Sequence, residues 1–266
     1  MQTEQPKARI ALLIDADNIS HTKIGVMLAE LSKYGTANIR RAYGDWGASS
    51  LKGWKDKLHE AAIRPIQQFS YSSGKNATDI ALVIDAMELL YTQKLDAFCI
   101  ASSDADFTPL VMQLKANGHE VYGFGERKTP KPFVNACSTF LYLDSLGDTA
   151  PVAPVAATPA KSAKARGAAA AAAPAAERKS LAQDAALVTI LRGAVEAAVW
   201  EDGWATMSAA GSAVKRQASV DPRNYGEKTF SALFRATGLF DIHTTENGQI
   251  YVADKRNKDR AAKPAR

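Results

Sequence analysis

The spacing of apolar and polar positions divides the first half of the chain into alternating strand-like and helix-like runs. "RIALLI" (9–14) is a short apolar run, and "TKIGVMLAELSKYG" (22–35) carries apolar residues at helical spacing before stopping at glycine. "TANIRRAYG" (36–44) alternates as a strand does, "LKGWKDKLHEAA" (51–62) is helical, and "IRPIQQFSY" (63–71) is extended. "ATDIALVIDAMELLYTQ" (77–93) is the strongest helical pattern of all. A buried strand, "AFCIAS" (97–102), a helix, "DFTPLVMQLKANG" (106–118), and two further strands, "HEVYGFG" (119–125) and "TFLYLD" (139–144), complete the series. Alternation of this length predicts an α/β fold, a mainly parallel sheet with helices on both faces.

From Thr149 the pattern collapses into an Ala/Pro-rich stretch with prolines at 151, 154, 159 and 174 and no aromatic residue. Such a segment cannot bury enough surface to offset its ordering entropy, so 149–179 reads as a flexible linker. It separates a domain at 1–148 from a smaller one at 180–254, and a basic tail without periodicity follows at 255–266.

Composition narrows the class. A hydrophobic content of 46% over 266 residues supports one or two domains with a real core. No apolar run reaches the roughly 20 residues of a membrane helix. The polar start "MQTEQPKARI" lacks a signal-peptide stretch, and the two cysteines form no disulfide framework, which predicts a cytoplasmic protein. Cys99 sits inside an apolar run and is expected as a buried free thiol. Charge is uneven. Residues 1–148 hold 16 basic and 17 acidic side chains, whereas residues 149–266 hold 17 basic and 11 acidic ones. The basic excess therefore lies in the C-terminal part and points to a polyanionic partner there, unless it serves only as a solubilising tail.

The candidate chemistry lies where apolar strands stop. "RIALLIDADN" and "CIASSDADF" each end on Asp-Ala-Asp, presenting Asp15 and Asp17, then Asp104 and Asp106. Ligands of parallel sheets bind outside the carboxyl ends of the strands, so both pairs fall in the right place. If the two strands are neighbours, these carboxylates share one mouth and repel each other unless a cation or protons intervene. An all-oxygen donor set selects Mg²⁺ or Mn²⁺ over zinc, and the four histidines show no ligand spacing; His21, His59 and His119 are taken as structural.

The strong helix offers a fifth acid. At 100° per residue, Ile80, Val83, Ile84, Met87 and Tyr91 form an apolar stripe, and Asp85 lies about 140° from Ile80 on a polar stripe with Glu88 and Thr92. That predicts a solvated or salt-bridged Asp85. Asp79 lies at the border of the apolar stripe in the first turn, where Asn76 is the expected N-cap and a carboxylate suits the helix dipole. Asp79 is therefore the helical candidate for the cluster. Asn18, Ser102 and Ser103 are expected to support the carboxylates or meet phosphate, while Asp17 and Asp85 stay without an assigned role. One competing enzyme pattern, the Asp-x-Asp nucleophile of haloacid-dehalogenase-type phosphatases, normally continues with Thr or Val where this chain has Asn18, and no strand-end lysine accompanies it.

The set "LLIDADNI", "ATDIALVIDAM" and "CIASSDADFTPLV…GHEVYGFG" closely resembles the NYN domain family, LabA-like relatives of the PIN fold, over about residues 8–146. The resemblance implies a metal-dependent ribonuclease in which Asp15, Asp79, Asp104 and Asp106 are catalytic and hold Mg²⁺ or Mn²⁺, with Asn18 paired to the first-strand Asp. "GKNATD" departs from the Lys-Gly-x-Asp pattern of that loop, which weakens Lys75 as a phosphate contact. The C-terminal stretch resembles an OST-HTH/LOTUS domain, a small winged-helix module: Tyr225-Gly226, then Phe230, Leu233 and Phe234 at helical spacing, then the "LFDIHTTENGQIYVA" hairpin, whose Asn-Gly is a turn signal in its own right. Such domains are linked to RNA binding and, in some cases, to protein docking. Trp200, Trp204, Phe230 and Phe234 are expected as core, and Lys215, Arg216, Arg223 and Lys228 as phosphate contacts. RNA is the expected partner, with DNA open to the same chemistry. A non-catalytic RNA-binding or protein-docking regulator is the alternative, and the oligomeric state is left undetermined.

Overall fold

Ile14 pairs with Ala101 across two parallel strands, and that register places the ends of two apolar runs side by side. A computed structural model describes residues 7–69, 76–146 and 181–264. The chain divides into two units, 1–148 with 215–226 and 149–214 with 227–266. The linker expected at 149–179 lies outside the described residues, as does Lys75.

The first unit is built on six strands, β1 (Ala8–Asp15), β2 (Gly35–Gly44), β3 (Arg64–Gln67), β4 (Ala97–Ala101), β5 (Glu120–Gly125) and β6 (Thr139–Tyr142). They lie in the order β3-β2-β1-β4-β5-β6, and every neighbouring pair is parallel. Alternate side chains serve two cores. Ile10, Leu12 and Ile14 of β1, with Cys99 and Ala101 of β4, pack with α1 (Ile24–Leu31) and α2 (Trp54–Glu60). Ala11, Leu13, Phe98 and Ile100 pack with α3 (Ala77–Thr92), α4 (Thr108–Ala116) and α5 (Lys131–Ala136). Cover on both faces is why β1 reads as a continuous apolar run rather than an alternating one. The expected α/β architecture, with helices on both faces of a parallel sheet, is what the chain forms. Helix α5 was not foreseen: six residues with Pro132 in the first turn are too short to display a helical period.

The orientation of α3 corrects the sequence analysis. Its buried residues are Thr78, Leu82, Ala86, Leu89 and Leu90, while Ile80, Ile84 and Tyr91 are 59%, 62% and 70% exposed. Of the apolar stripe counted from Ile80, only Val83 and Met87 pack partly against the core, and the other three face outward. Both sides of this helix are apolar, so periodicity alone cannot say which one packs.

The second unit carries α6 (Ala185–Glu196), β7 (Ala205–Thr206), most of α7 (Met207–Gln217), α8 (Phe230–Thr237), β8 (Phe240–Thr244) and β9 (Ile250–Asp254). Its small antiparallel sheet has the order β7-β9-β8. The hairpin turns at Asn247-Gly248, where Gly248 takes φ +79°, a conformation that favours glycine. Trp204 and Phe234 are buried as expected and Phe230 is half-buried, but Trp200 is 51% exposed. Part of the expected tail packs back on the unit. Trp204 Nε1 donates to the Ala261 carbonyl at 2.9 Å, Ala261 N donates to Asp202 O at 2.9 Å, and the Arg260 guanidinium lies 5.8 Å over the Trp204 ring.

Candidate active site

Strand order reverses between β1 and β4, the switch point at which open parallel sheets bind their ligands. Asp15 ends β1, and Ser102 follows the last residue of β4. The condition placed on the two Asp-Ala-Asp stretches is therefore met: their strands are adjacent.

Asp15 is fully buried, yet its carboxylate is well supplied with donors. Its Oδ2 accepts from Asn18 Nδ2 at 2.7 Å and from Ser102 Oγ at 2.7 Å, and its Oδ1 accepts from Asn18 N at 3.3 Å. Burial raises its pKa above the ordinary carboxylate value, and these hydrogen bonds pull against that rise. Ser102 does double duty, since its Oγ also accepts from Asp104 N at 3.1 Å. Asp104 in turn caps a short 3-10 turn, Ala105–Phe107, by accepting from Asp106 N at 2.9 Å. Ser103 turns elsewhere: its Oγ accepts from Glu126 N at 2.9 Å and so ties the β4 loop to the loop after β5.

Asp79 stands in the first turn of α3. Its pKa is pushed up to about 6, first by burial and then by the charges of Asp15, Asp104, Asp17 and Asp106. The charges that act on Asp79 are those of the other three predicted acids and of the exposed Asp17. Asn76 stands at the N-cap position of α3 but makes no side-chain capping bond. Among the described residues, no three carboxylates, imidazoles or thiolates stand close enough to enclose a metal ion by themselves. The donor set suits an ion that keeps most of its own water: Mg²⁺ is commonly held through one or two carboxylates. Mutual repulsion among the acids is what such an ion would relieve.

Asp85 is salt-bridged, one of the two states expected for it, and a tyrosine hydroxyl joins the ion pair. Both of its oxygens are taken, Oδ1 by the Arg41 guanidinium and Oδ2 by the Tyr43 hydroxyl. Burial and the adjacent Asp85 together keep Tyr43 protonated; burial lowers the Arg41 pKa, but Asp85 more than offsets this. A signal existed in "IRRAYG": Arg41 and Tyr43, two apart on one strand, share a face that a helix covers.

The expected phosphate contacts differ in availability. Lys215, Arg216 and Lys228 are exposed, whereas Arg223 is held by Asp221, with Nε and Nη2 each 2.8 Å from its carboxylate oxygens. The structural histidines fit their assignment in two cases: His21 packs edge-on to Trp54 and His119 edge-on to Phe98. Cys99 and Cys137 are buried free thiols, raised by burial. Among the described residues, no helix is long and apolar enough to cross a membrane.

Comparison with known proteins follows the same division. The NYN domain model matches residues 9–144, and the OST-HTH/LOTUS domain model matches residues 179–252. An uncharacterized protein of Methanocaldococcus jannaschii, MJ0482, is 33% identical over 121 residues, which cover 44% of this chain and 47% of that one. The match thus spans about half the length of this curated relative. The crystal structure of a protein of unknown function from Vibrio parahaemolyticus, VPA0982, aligns with a TM-score of 0.45 at 17% identity, covering 53% of this chain and 96% of that one.

Proposed function

Because this chain belongs to the NYN domain family and carries an OST-HTH/LOTUS domain, we propose that it is a divalent-metal-dependent endoribonuclease whose C-terminal domain recruits RNA. NYN domains are RNase-like, and LOTUS domains bind RNA. One observation carries the assignment of the site: β1 lies beside β4, so Ser102 links the Asp15 carboxylate to the Asp104 backbone, and the charges of these acids add to the burial that raises Asp79.

Asp15, Asp79, Asp104 and Asp106 would hold the ion, Mg²⁺ or Mn²⁺. A cation bound there supplies Lewis-acid activation of water and of the leaving oxygen of a phosphodiester. The chain's own residues do the orienting. Asn18 and Ser102 fix the Asp15 carboxylate, and Ser102 links it to the Asp104 backbone. The N-terminal turn of α3 presents Asp79 at the positive end of the helix dipole. Lys215, Arg216 and Lys228 are exposed cations within the stretch that the OST-HTH/LOTUS domain model matches, available to phosphates.

The decisive experiment incubates the full chain with single-stranded RNA, structured RNA and DNA in Mn²⁺ and compares it with Asp104→Asn. Cleavage by wild type and not by the variant supports the proposal; equal cleavage by both assigns the activity elsewhere. A second reading, an RNA-binding regulator that does not cut, draws support from the absence of a three-acid cage among the described residues. It predicts RNA binding without Mn²⁺-dependent cleavage or Mn²⁺ stabilisation.

A further inference from the structure

We infer that Asp85 is a positioning residue for the nuclease site: its bonds to Arg41 and Tyr43 set the rotation of α3 and thereby hold Asp79 in the carboxylate mouth. The inference rests on the function proposed above for the Asp cluster. It starts from what does not hold the helix. Asn76 makes no capping bond, and the helix is apolar on both sides: Leu82, Leu89 and Leu90 are buried, with Val83 and Met87 partly so, while Ile80, Ile84 and Tyr91 stand outside. Burial of apolar surface is non-directional, so it selects the buried side of α3 and fixes the rotation only coarsely.

The carboxylate of Asp85 fixes it more closely. Two donors from one face of β2 take its two oxygens, a connection that fixes direction as well as distance. Asp79 and Asp85 flank the buried stripe of Leu82, Ala86 and Leu89 on opposite sides, about 120° apart and about 9 Å apart along the axis. Rolling α3 so as to swing Asp79 out of the mouth must pull Asp85 off β2. The tie also reaches the other side of the site directly, because Tyr43 is the register partner of Asp15 on β1. Asp79, Asp85, Tyr43 and Asp15 therefore form a closed path through one helix, one side-chain bond and one strand pair. Misplacement of a reacting group by about 1 Å costs on the order of 100-fold in rate, so a modest roll of the helix is enough to matter.

The test uses the full chain with Tyr43→Phe, which keeps the ring in the core and removes only the hydroxyl, and Asp85→Asn, which keeps the shape and removes the charge. The expected result is a folded protein with kcat for RNA cleavage lowered about tenfold and KM within about twofold of wild type, because substrate binding does not use these groups. The Mn²⁺ concentration giving half-maximal thermal stabilisation should rise several-fold in the absence of RNA. Unchanged kcat and unchanged Mn²⁺ midpoint in both variants overturn the inference. A crystal structure of Asp85→Asn with α3 unrotated and Asp79 in place overturns it as well, whatever the assays show. If wild type does not cleave, the nuclease proposal falls, and rotation of α3 in that crystal structure still decides the role of Asp85.

Discussion

Tyr43 donates its hydroxyl to Asp85 across the boundary between β2 and α3, beside the Arg41 guanidinium on the same carboxylate. The pair is largely shielded, with Arg41 20% and Asp85 15% exposed at the side chain. Removing one member of such a pair leaves the other charge partly desolvated without its counter-ion. Asp85→Ala should therefore destabilise the chain by about 2–3 kcal/mol, below the full cost of a completely buried pair. Urea unfolding should show less added loss on combining it with Arg41→Ala than the two single losses predict.

The cluster acids should differ from the clamp in their effect. Asp104→Asn is expected to lower Mn²⁺-dependent RNA cleavage by about 100-fold or more while leaving the unfolding midpoint without metal the same or higher. The reason is repulsion: without a cation, the Asp104 charge is one of those that act against Asp79. Parallel melts with and without Mn²⁺ would separate the two effects.

The pH dependence follows from Asp79. Its folded pKa of about 6 lies above the ordinary 3.8, so between those values the folded chain holds a proton that the unfolded chain has released. Stability of the metal-free protein should rise as pH falls from 7 toward 4, and the penalty should be fully present above pH 6. Asp79 is only partly buried, so screening reduces the effect to on the order of 1 kcal/mol. Asp79→Asn should flatten that slope and stabilise the metal-free protein at neutral pH. Thermal melts in chelator across this range would check both.

Ser102→Ala removes a fully buried hydroxyl that donates to Asp15 and accepts from Asp104 N. A buried carboxylate and a partly buried N–H are left short of a bond, which should cost about 1–3 kcal/mol. Cleavage should fall as well, since the two strand-end acids lose their shared link. Ser103→Ala, whose hydroxyl serves Glu126 N, should disturb activity far less at a similar cost in stability.

For RNA recruitment, replacing both Lys215 and Arg216 by Ala should weaken binding of single-stranded RNA and reduce the slope of log affinity against log salt by about 1.4. Arg223→Ala should change the slope less, because Asp221 already neutralises that guanidinium. Fluorescence anisotropy over a salt series would distinguish them.

The local elements, the parallel α/β class, the separate basic C-terminal stretch and the carboxylates at strand ends are all legible along the chain. These are properties of nearest neighbours: period-2 and helical spacing, glycine stops, and the cost of placing an acid after an apolar run. Even the pairing of Asp15 with Asn18 lies within four consecutive residues. Tertiary structure decided what spacing leaves degenerate. Only the sheet order brings β1 beside β4 and so sets two Asp-Ala-Asp stretches, 89 residues apart in the chain, at neighbouring strand ends. Only the packing chose the face of α3 that turns inward, because the helix is apolar on both sides. Its finer rotation falls to Asp85, whose partners Arg41 and Tyr43 lie more than 40 residues earlier in the chain. Hydrophobic burial has no direction; a carboxylate between two fixed donors has one.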